Sequence, residues 1–375
     1  MQRSQSLDES GRDLNRRWRF SLSTDPINVE HKFNDSVAVD GEAAAGLIRL
    51  SRRIRRDALR VACEIPSQTM EQEPTRHILG ARPASLRMSV VVPTYNRATL
   101  LACCLRSLEA QTLDKDAYEV FVVDDGSEDN TPEICRAFAQ GATMRMTYVR
   151  GSHRGPAGAR NLGIAEAGGE IVAFIDDDCA ASEDWLEQIS APFRDPIVAG
   201  VEGKVLRHPD CTPFTHFVEN LSGGLFLTAN IAYRRDTLKA LGGFDEIYPH
   251  AAAEDWDLAF RVREHGGMIA FQPDAIVVHA PVPVGGRHFV DRVKERRSAV
   301  MLYRRFPRHW QATTGRTMRR SFAEGIFLGP FVEVRKWRGY FLTHSSKLPR
   351  FLMWKFLASA RLLVEYVRLR PVEPT

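Results

Sequence analysis

Aspartates stand directly after two short apolar runs of this sequence. EIVAFI is followed by Asp176, Asp177 and Asp178, and YEVFVV by Asp124 and Asp125. Because three adjacent carboxylates repel one another, such a triplet is typical of a cation site or of a fully solvated turn. Carboxylate oxygens suit Mg²⁺ or Mn²⁺. If the triplet is extended, Asp176 and Asp178 point towards one site and Asp177 points elsewhere.

Two further side chains extend this chemistry. His279 ends the apolar run AIVVH, where an imidazole suits a Mn²⁺ site, although a structural role is also compatible with that position. Asp255 lies at the start of the helix-like segment EDWDLAFRV, behind the long loop GGFDEIYPHAAA, and is a candidate general base. Capping of the helix dipole also explains Asp255. Asp125 either accepts hydrogen bonds from a nucleobase or ribose or caps a turn.

The elements that must position these residues begin at Met88. The order MSVVV, 100–108, YEVFVV, 132–138, MRMTYV, 157–167 and EIVAFI predicts β-α-β-α-β-α-β. Runs that are apolar on both faces require a mostly parallel sheet with helices on each side. Ligands bind at the carboxyl ends of strands in such sheets, so we expect the strand-end aspartates to meet in one crevice. The second half is mixed, with strand-like runs and a helix at about 254–264.

Composition limits the class of function. The 375 residues are 44% hydrophobic and 26% charged, which is ordinary for a globular protein. The first βα turn carries neither a dinucleotide fingerprint nor a P-loop, which argues against dehydrogenases and P-loop NTPases. The six cysteines form no C-x-x-C pair, and the sequence has no secretory signal and no run of about 18 apolar residues. We therefore expect a cytoplasmic protein.

Charge is distributed unevenly along the chain. From Gly286 to Thr375 there are 20 Lys and Arg against 6 Asp and Glu. The segment 351–369 predicts a helix with Arg361, Glu365 and Arg368 on one stripe and apolar residues elsewhere. Such a helix either lies in an anionic membrane interface or packs on protein, and both alternatives stay open. Residues 43–63 predict another Arg-faced helix, and nucleic-acid binding is not expected because the basic region's aromatics follow helical spacing.

Six segments in order resemble glycosyltransferase family 2, enzymes of the GT-A fold. They are VVVPTYNR, VVDDGSEDNT, GPAGARNLGI, IVAFIDDDC, NIAYRRDTLKALGGFDE and EDWDLAFRV. The resemblance spans roughly residues 88–279. It implies an α/β protein with a Rossmann-like, mostly parallel sheet flanked by helices. Around that sheet we expect an N-terminal extension (1–86), a GT-A domain (87–284) and a basic, mainly helical C-terminal region (285–375).

The resemblance also implies residue roles on the donor side. Asp125 would address the base, Arg160 would lie near the donor, and Asp177 would approach the ribose or the donor sugar. The nucleoside side as a whole would be lined by Pro93, Thr94, Tyr95 and Asp125.

Further roles concern the metal and the proton. Asp176 and Asp178 match the outer members of the D-x-D motif, and Asp178 resembles the principal metal ligand. His279 resembles the third ligand of some members, and Asp255 matches the catalytic base with Glu254 beside it.

The implied reaction is inverting sugar transfer, of hexosyltransferase type, from a nucleotide-diphosphate sugar to an acceptor hydroxyl. The acceptor would be a glycan, a lipid-linked molecule or a small molecule, and the cofactor would be Mn²⁺ or Mg²⁺. The basic C-terminal region departs from the family pattern, so the expectation that it contacts the inner face of the membrane peripherally rests on its charge and apolar residues alone. Two alternatives are a noncatalytic subunit that binds nucleotide sugar or glycan, and a metal-dependent nucleotidyltransferase or phosphohydrolase.

Overall fold

The computed structural model describes residues 86–248 and 252–369. The predicted helix at 43–63 and nearly all of the expected N-terminal extension lie outside the described residues.

Strands and helices alternate strictly through the first half, which confirms the predicted β-α-β-α-β-α-β order. A short 3₁₀ helix (Lys115–Ala117) precedes β2. The elements are β1 (Met88–Thr94), α1 (Ala98–Glu109), β2 (Tyr118–Asp124), α2 (Thr131–Gly141), β3 (Arg145–Arg150), α3 (Gly155–Glu166) and β4 (Ile171–Phe174).

The second half is mixed, as expected. The runs MIAFQ and AIVVH belong to one strand, whose pairing with its neighbour is shifted by an irregularity between Gly203 and Lys204. The elements are β5 (Cys179–Ala181), α4 (Trp185–Ser190), a 3₁₀ helix (Ala191–Arg194), β6 (Val198–Arg207), β7 (Thr215–His216), β8 (Ile231–Arg234), α5 (Arg235–Leu241), α6 (Glu254–Glu264) and β9 (Met268–His279).

Eight of these strands form one sheet in the order β3-β2-β1-β4-β8-β6-β9-β5. The neighbours β3, β2, β1 and β4 are parallel, whereas β8 runs antiparallel to both β4 and β6. The carboxyl ends of β1, β2 and β4 therefore lie side by side, which places the aspartates that follow β2 and β4 at one edge.

The apolar strands are buried because helices cover both faces of the sheet. Alternation along β1 places Val90 and Val92 in one core cluster with Leu101 of α1, and Val91 in a second cluster with Ala159 of α3. Helix α3 approaches β1 closely, since a Cβ on Gly163 would lie 2.5 Å from a methyl carbon of Val91. This close packing allows a short distance between α3 and β1.

The side chain of Asp129 holds the start of α2. The side chain of Asp129 accepts hydrogen bonds from both the backbone N–H (3.0 Å) and the hydroxyl of Thr131, while Asn130 makes no side-chain cap bond. Pro132 follows at the beginning of the helix, where its missing N–H costs nothing.

The basic C-terminal region is helical, as predicted. It follows a two-stranded pairing of β7 with β10 (Val282–Pro283). None of the described helices combines the length and the apolar character that a bilayer crossing requires. The helices are α7 (Gly286–Asp291), a 3₁₀ helix (Arg292–Glu295), α8 (Arg296–Arg305), α9 (Pro307–Thr314), α10 (Met318–Phe327), α11 (Gly329–Lys336), α12 (Arg338–Thr343), a 3₁₀ helix (Ser345–Lys347) and α13 (Leu348–Leu369).

Candidate active site

The aspartate triplet forms a turn between β4 and β5. Asp177 accepts a hydrogen bond from the hydroxyl of Thr94 at 2.7 Å. One guanidinium nitrogen of Arg97 lies 3.0 Å from a carboxylate oxygen of Asp177 and 2.8 Å from one of Asp178. Asp176 turns to Arg160, at 3.1 Å. The expectation that Asp177 points away from Asp178 is wrong, because β4 ends at Phe174 and the strand alternation ends with it.

Burial changes the acidity of this triplet. Removal from water raises the pKa of Asp177 to about 7. The positive charge of Arg97 opposes this shift, and the negative charge of Asp178 adds to it. Burial also raises the pKa of Asp178, against the opposing effect of His279, and the nearby charge of Asp176 acts in the same direction as burial. Such carboxyl groups gain more than solvated ones from a cation beside them.

His279 reaches the triplet through the sheet. In the antiparallel pairing of β5 with β9 it stands opposite Cys179, so its Nε2 lies 3.4 Å from a carboxylate oxygen of Asp178. Its Nδ1 lies 2.7 Å from the carbonyl oxygen of Ala280. In the tautomer that donates Nδ1–H to this carbonyl, the lone pair of Nε2 is free to bind a cation next to Asp178.

The residues around Asp178 fit a hard divalent cation. Asp178, Cys179 and His279 each place a ligand atom within 4.8 Å of the others. Burial raises the pKa of the Cys179 thiol well above its ordinary value, so this sulfur remains protonated and is a poor ligand. A carboxylate and an imidazole remain, with Asp176 at the same turn, and this donor set suits Mn²⁺ or Mg²⁺.

Arg160 connects the triplet to the start of α6. Its two terminal nitrogens lie 3.1 Å from Asp176 and 3.1 Å from Glu254, on opposite sides of one guanidinium. Asp255 follows Glu254 and accepts the backbone N–H of Trp256 at 2.8 Å. Burial and the neighbouring Glu254 carboxylate raise the pKa of Asp255 to about 8. Arg160 therefore links the turn that carries the candidate metal carboxylates to the start of the helix that carries the candidate base.

Asp125 organises the edge of this site beyond β2. Its two carboxylate oxygens accept the backbone N–H groups of Arg154 (2.8 Å) and Gly155 (2.7 Å), where α3 begins. It thus holds the start of a helix, although not of the one that follows it in sequence. Each carboxylate oxygen has a second lone pair, so these bonds leave acceptor capacity for a ligand.

The other residues expected on the nucleoside side lie along the end of β1. Pro93 and Thr94 are the last residues of that strand, and Thr94 is buried against Asp177. Tyr95 is 42% exposed, and its ring centroid lies 4.6 Å from that of His153. An exposed aromatic ring at the end of β1 is a surface on which a planar group can stack.

Sequence reasoning did not single out Arg97 or His216. Arg97 is three residues beyond Thr94 in VVVPTYNR, but nothing in its spacing showed that it would bridge two carboxylates. The His216 ring packs edge-on against His279, with centroids 5.9 Å apart. Burial and then Arg292 lower the pKa of His216 to about 3, which keeps this ring neutral beside the candidate metal site.

Trp256 has a structural environment. Its ring is tilted against Trp310 and meets Phe226 and Phe260 edge to face, with centroids 5.6–6.1 Å apart. These contacts favour core packing over stacking on a sugar ring.

Comparison with known proteins agrees with this geometry. Residues 89–253 match the family model described as glycosyl transferase family 2. Glycosyltransferase AglE of Haloferax volcanii is 31% identical over 209 residues, which cover 53% of this chain and 68% of that protein. The chain belongs to glycosyltransferase family 2.

A second sequence relative and a solved structure are also similar to this family 2 glycosyltransferase. The pre-mycofactocin glycosyltransferase of Mycobacterium tuberculosis is 31% identical over 215 residues, but these span only 43% of that protein and 52% of this chain. A mannosyltransferase from Pyrobaculum calidifontis, solved with GDP-Man and Mn²⁺, superposes with a TM-score of 0.54 at 21% identity, covering 88% of this chain and 97% of that one. The fold is therefore of the GT-A type.

Proposed function

We propose that this glycosyltransferase moves a sugar from a nucleoside-diphosphate donor to an acceptor hydroxyl, with Mn²⁺ or Mg²⁺ and with inversion at the anomeric carbon. The observation that carries the proposal is the pair of contacts made by Arg160, which joins the aspartate triplet to the helix start that bears Asp255. A metal-binding end for the diphosphate and a basic group for the acceptor then border one site.

On the donor side, Asp176, Asp178 and His279 would hold the cation. When bound, the cation would neutralise the charge that develops on the departing nucleoside diphosphate. Arg160 lies close enough to this carboxylate cluster to favour the donor's negative charge. The nucleoside would lie along Pro93, Thr94, Tyr95 and Asp125, with Asp125 towards the base and Asp177 towards the ribose or the sugar.

On the acceptor side, Asp255 would take the proton of the attacking hydroxyl. Its pKa of about 8 suits a base that must accept a proton near neutral pH. The hydroxyl oxygen then forms the new bond to the anomeric carbon as the bond to the diphosphate breaks. This single displacement needs no nucleophile from the protein and inverts the carbon.

The proposal extends to the organisation of the chain. Residues 87–284 would form the catalytic unit, residues 1–86 an extension, and the basic region 285–375 would bring a cytoplasmic enzyme into peripheral contact with a membrane. Such a location would suit lipid-linked acceptors in glycan, glycolipid or polysaccharide synthesis.

A donor screen tests the proposal. Candidate nucleotide sugars are compared by the rise in melting temperature that they cause with Mn²⁺, and the best donor enters an assay for released products. We expect release of nucleoside diphosphate; release of sugar phosphate would instead indicate nucleotidyltransfer or phosphohydrolysis.

Two variants assign roles within that assay. Asp178→Ala is expected to lose the Mn²⁺-dependent stabilisation by donor, whereas Asp255→Asn keeps it and loses transfer by about a hundredfold or more, as expected for a lost general base. The matched control is Asp274→Asn, which changes an exposed aspartate on β9. Donor-dependent stabilisation without turnover of any acceptor by the unmodified chain would favour a noncatalytic binding subunit.

A further inference from the structure

Helix α13 is apolar on two opposite sides. One side is buried through Phe351 and Leu362, against elements that include α7 and α10. At 100° per residue, the exposed apolar residues fall on the opposite side of the helix. These residues are Met353, Phe356, Leu357, Leu363, Val364 and Val367, each between 43% and 61% exposed. An ordinary surface helix is polar on the side that faces solvent, whereas this helix is buried on one side and carries partly exposed apolar residues on the other.

The apolar side continues onto neighbouring helices. The ring of Phe356 lies 6.1 Å from that of Phe331 in α11, edge to face. Large apolar side chains are exposed at the end of α10, between the helices and in α11, namely Phe327, Leu328, Phe331 and Val332. Together with the six residues of α13 they form what we call the apolar face. Scattered exposed apolar residues are normal, whereas a contiguous face of this kind marks an interaction surface.

Positive charge borders the apolar face. Arg335 is four residues after Phe331 and three after Val332, so it shares their side of α11. Arg350 and Arg368 lie along one border of the exposed stripe of α13, and both are exposed. The nearby acidic groups are already engaged, since Glu365 is buried among arginines and Glu333 lies 3.8 Å from Lys355. The border is therefore cationic.

An apolar face with a cationic border favours one kind of binding partner over others. In an antiparallel two-fold pairing, a second copy of α13 would bring one cationic border towards another, which is unfavourable. The arginine-rich segment 52–60 of the N-terminal part is a poor complement, because it contains five arginines. An anionic bilayer surface offers acyl chains to the apolar side chains and negative headgroups to the arginines.

We propose that the apolar face binds a bilayer surface rich in anionic lipid, with its apolar side chains at the boundary between headgroups and acyl chains. The inference rests on the proposed function in one respect: it names the surface that would make the proposed membrane contact. Vesicle binding is measured without donor or acceptor, so failure of this inference is distinguishable from failure of the proposed reaction.

The experiment is co-sedimentation of the full chain with vesicles of phosphatidylcholine alone or with phosphatidylglycerol added, at low and high salt. We expect binding to the anionic vesicles that weakens with salt. The triple variant Phe331→Ser, Phe356→Ser, Val364→Ser should reduce the partition coefficient at least about tenfold. The double variant Arg335→Gln, Arg350→Gln should reduce it by a similar factor, and only at low salt.

Controls separate this result from misfolding and from self-association. Ile197→Ser removes an exposed apolar side chain outside the apolar face and should leave binding unchanged. Melting temperatures of all variants are measured in parallel, and light scattering after size exclusion gives the oligomeric state. Absence of vesicle binding, equal binding by the triple variant, or a dimer that the triple variant dissociates would each overturn the inference.

Discussion

At the scale of single residues, the site depends on carboxyl groups whose protonation is set by their surroundings. Asp255 keeps its proton to about pH 8, because burial and the adjacent Glu254 both oppose its charge. A general base works only in its deprotonated form. We therefore expect kcat/KM to fall about tenfold per pH unit below about pH 8 and to level off above it.

A profile of kcat/KM against pH at saturating metal measures this fall on the acidic side, which we call the acidic limb. The profile of Glu254→Gln is the comparison that tests its assignment. Removing the neighbouring negative charge should move the limb to lower pH. A limb at the same pH in both proteins would contradict the assignment of the titrating group to Asp255.

Arg97 is the second residue with a measurable consequence. Its guanidinium bridges Asp177 and Asp178 where a cation is proposed to bind. Replacing it in Arg97→Gln removes a competing positive charge, so Mn²⁺ should bind several-fold more tightly; the side chain is 40% exposed, and solvent limits the effect. Electron paramagnetic resonance of free Mn²⁺ gives the affinity.

The control for Arg97 is Arg136→Gln, at an exposed position of α2. It should leave Mn²⁺ affinity unchanged. Unchanged or weaker Mn²⁺ binding by Arg97→Gln would show that the guanidinium and the cation do not share a position.

At the scale of elements, the loop between β7 and β8 is held by one buried carboxylate. Glu202 of β6 accepts backbone N–H groups from Gly224, Leu225 and Phe226, and also the side-chain amide of Asn220. The loop includes positive φ angles at residues 223, 224 and 226. Without this acceptor, the buried N–H group of Phe226 and the partly buried N–H groups of Gly224 and Leu225 would lose their hydrogen-bond partner.

Glu202→Ala should therefore lower the free energy of unfolding by about 3 kcal/mol, and Glu202→Gln by less because the amide keeps one acceptor oxygen. Urea unfolding measures the difference. The control Glu183→Gln changes an exposed glutamate that follows β5 and should have little effect. Equal stability of Glu202→Ala and the unmodified chain would mean that the loop is held by other contacts.

At the scale of the whole molecule, one ion cluster fastens α13 to the rest of the protein. The buried Glu365 carboxylate lies 3.1 Å from Arg297 of α8, and 3.4 Å and 3.6 Å from Arg361 and Arg368 of its own helix. Burial by itself would raise the pKa of Glu365, but the hydrogen bond and charge of Arg297, with the other two arginines, hold it below its usual value. The folded state therefore favours the ionised form.

Because the folded pKa is lowered, this stabilisation is present above the unfolded value of about 4.3 and is lost as pH falls through the folded value. Glu365→Gln should lower the free energy of unfolding by about 2 kcal/mol near neutral pH, a modest effect because the arginine partners are partly solvated. The loss should be smaller in acid, where Glu365 of the unmodified chain is itself protonated. Urea unfolding across that pH range tests this, with Glu128→Gln at an exposed site as control. A loss of unfolding free energy that is the same at every pH would contradict a stabilising role for the ionised Glu365 carboxylate.

The alternating elements of the first half and the family could be predicted from the amino-acid sequence alone. Apolar runs of β length cannot be solvated, so MSVVV, YEVFVV and EIVAFI required a covered parallel sheet, and the strand-end rule placed the aspartates after β2 and β4 at one edge. That inference needs only local pattern and topology.

The contacts between side chains of the candidate site could not be predicted from the sequence and came from the folded structure. The turn after Phe174 brought Asp177 and Asp178 to the same Arg97, and β5 placed His279 opposite Cys179. The choice that the sequence left open for the last helix was also settled there in part: α13 packs on the protein with one side, while its other side stays exposed. Contacts between segments far apart in sequence depend on chain path and packing, and neither periodicity nor spacing encodes them.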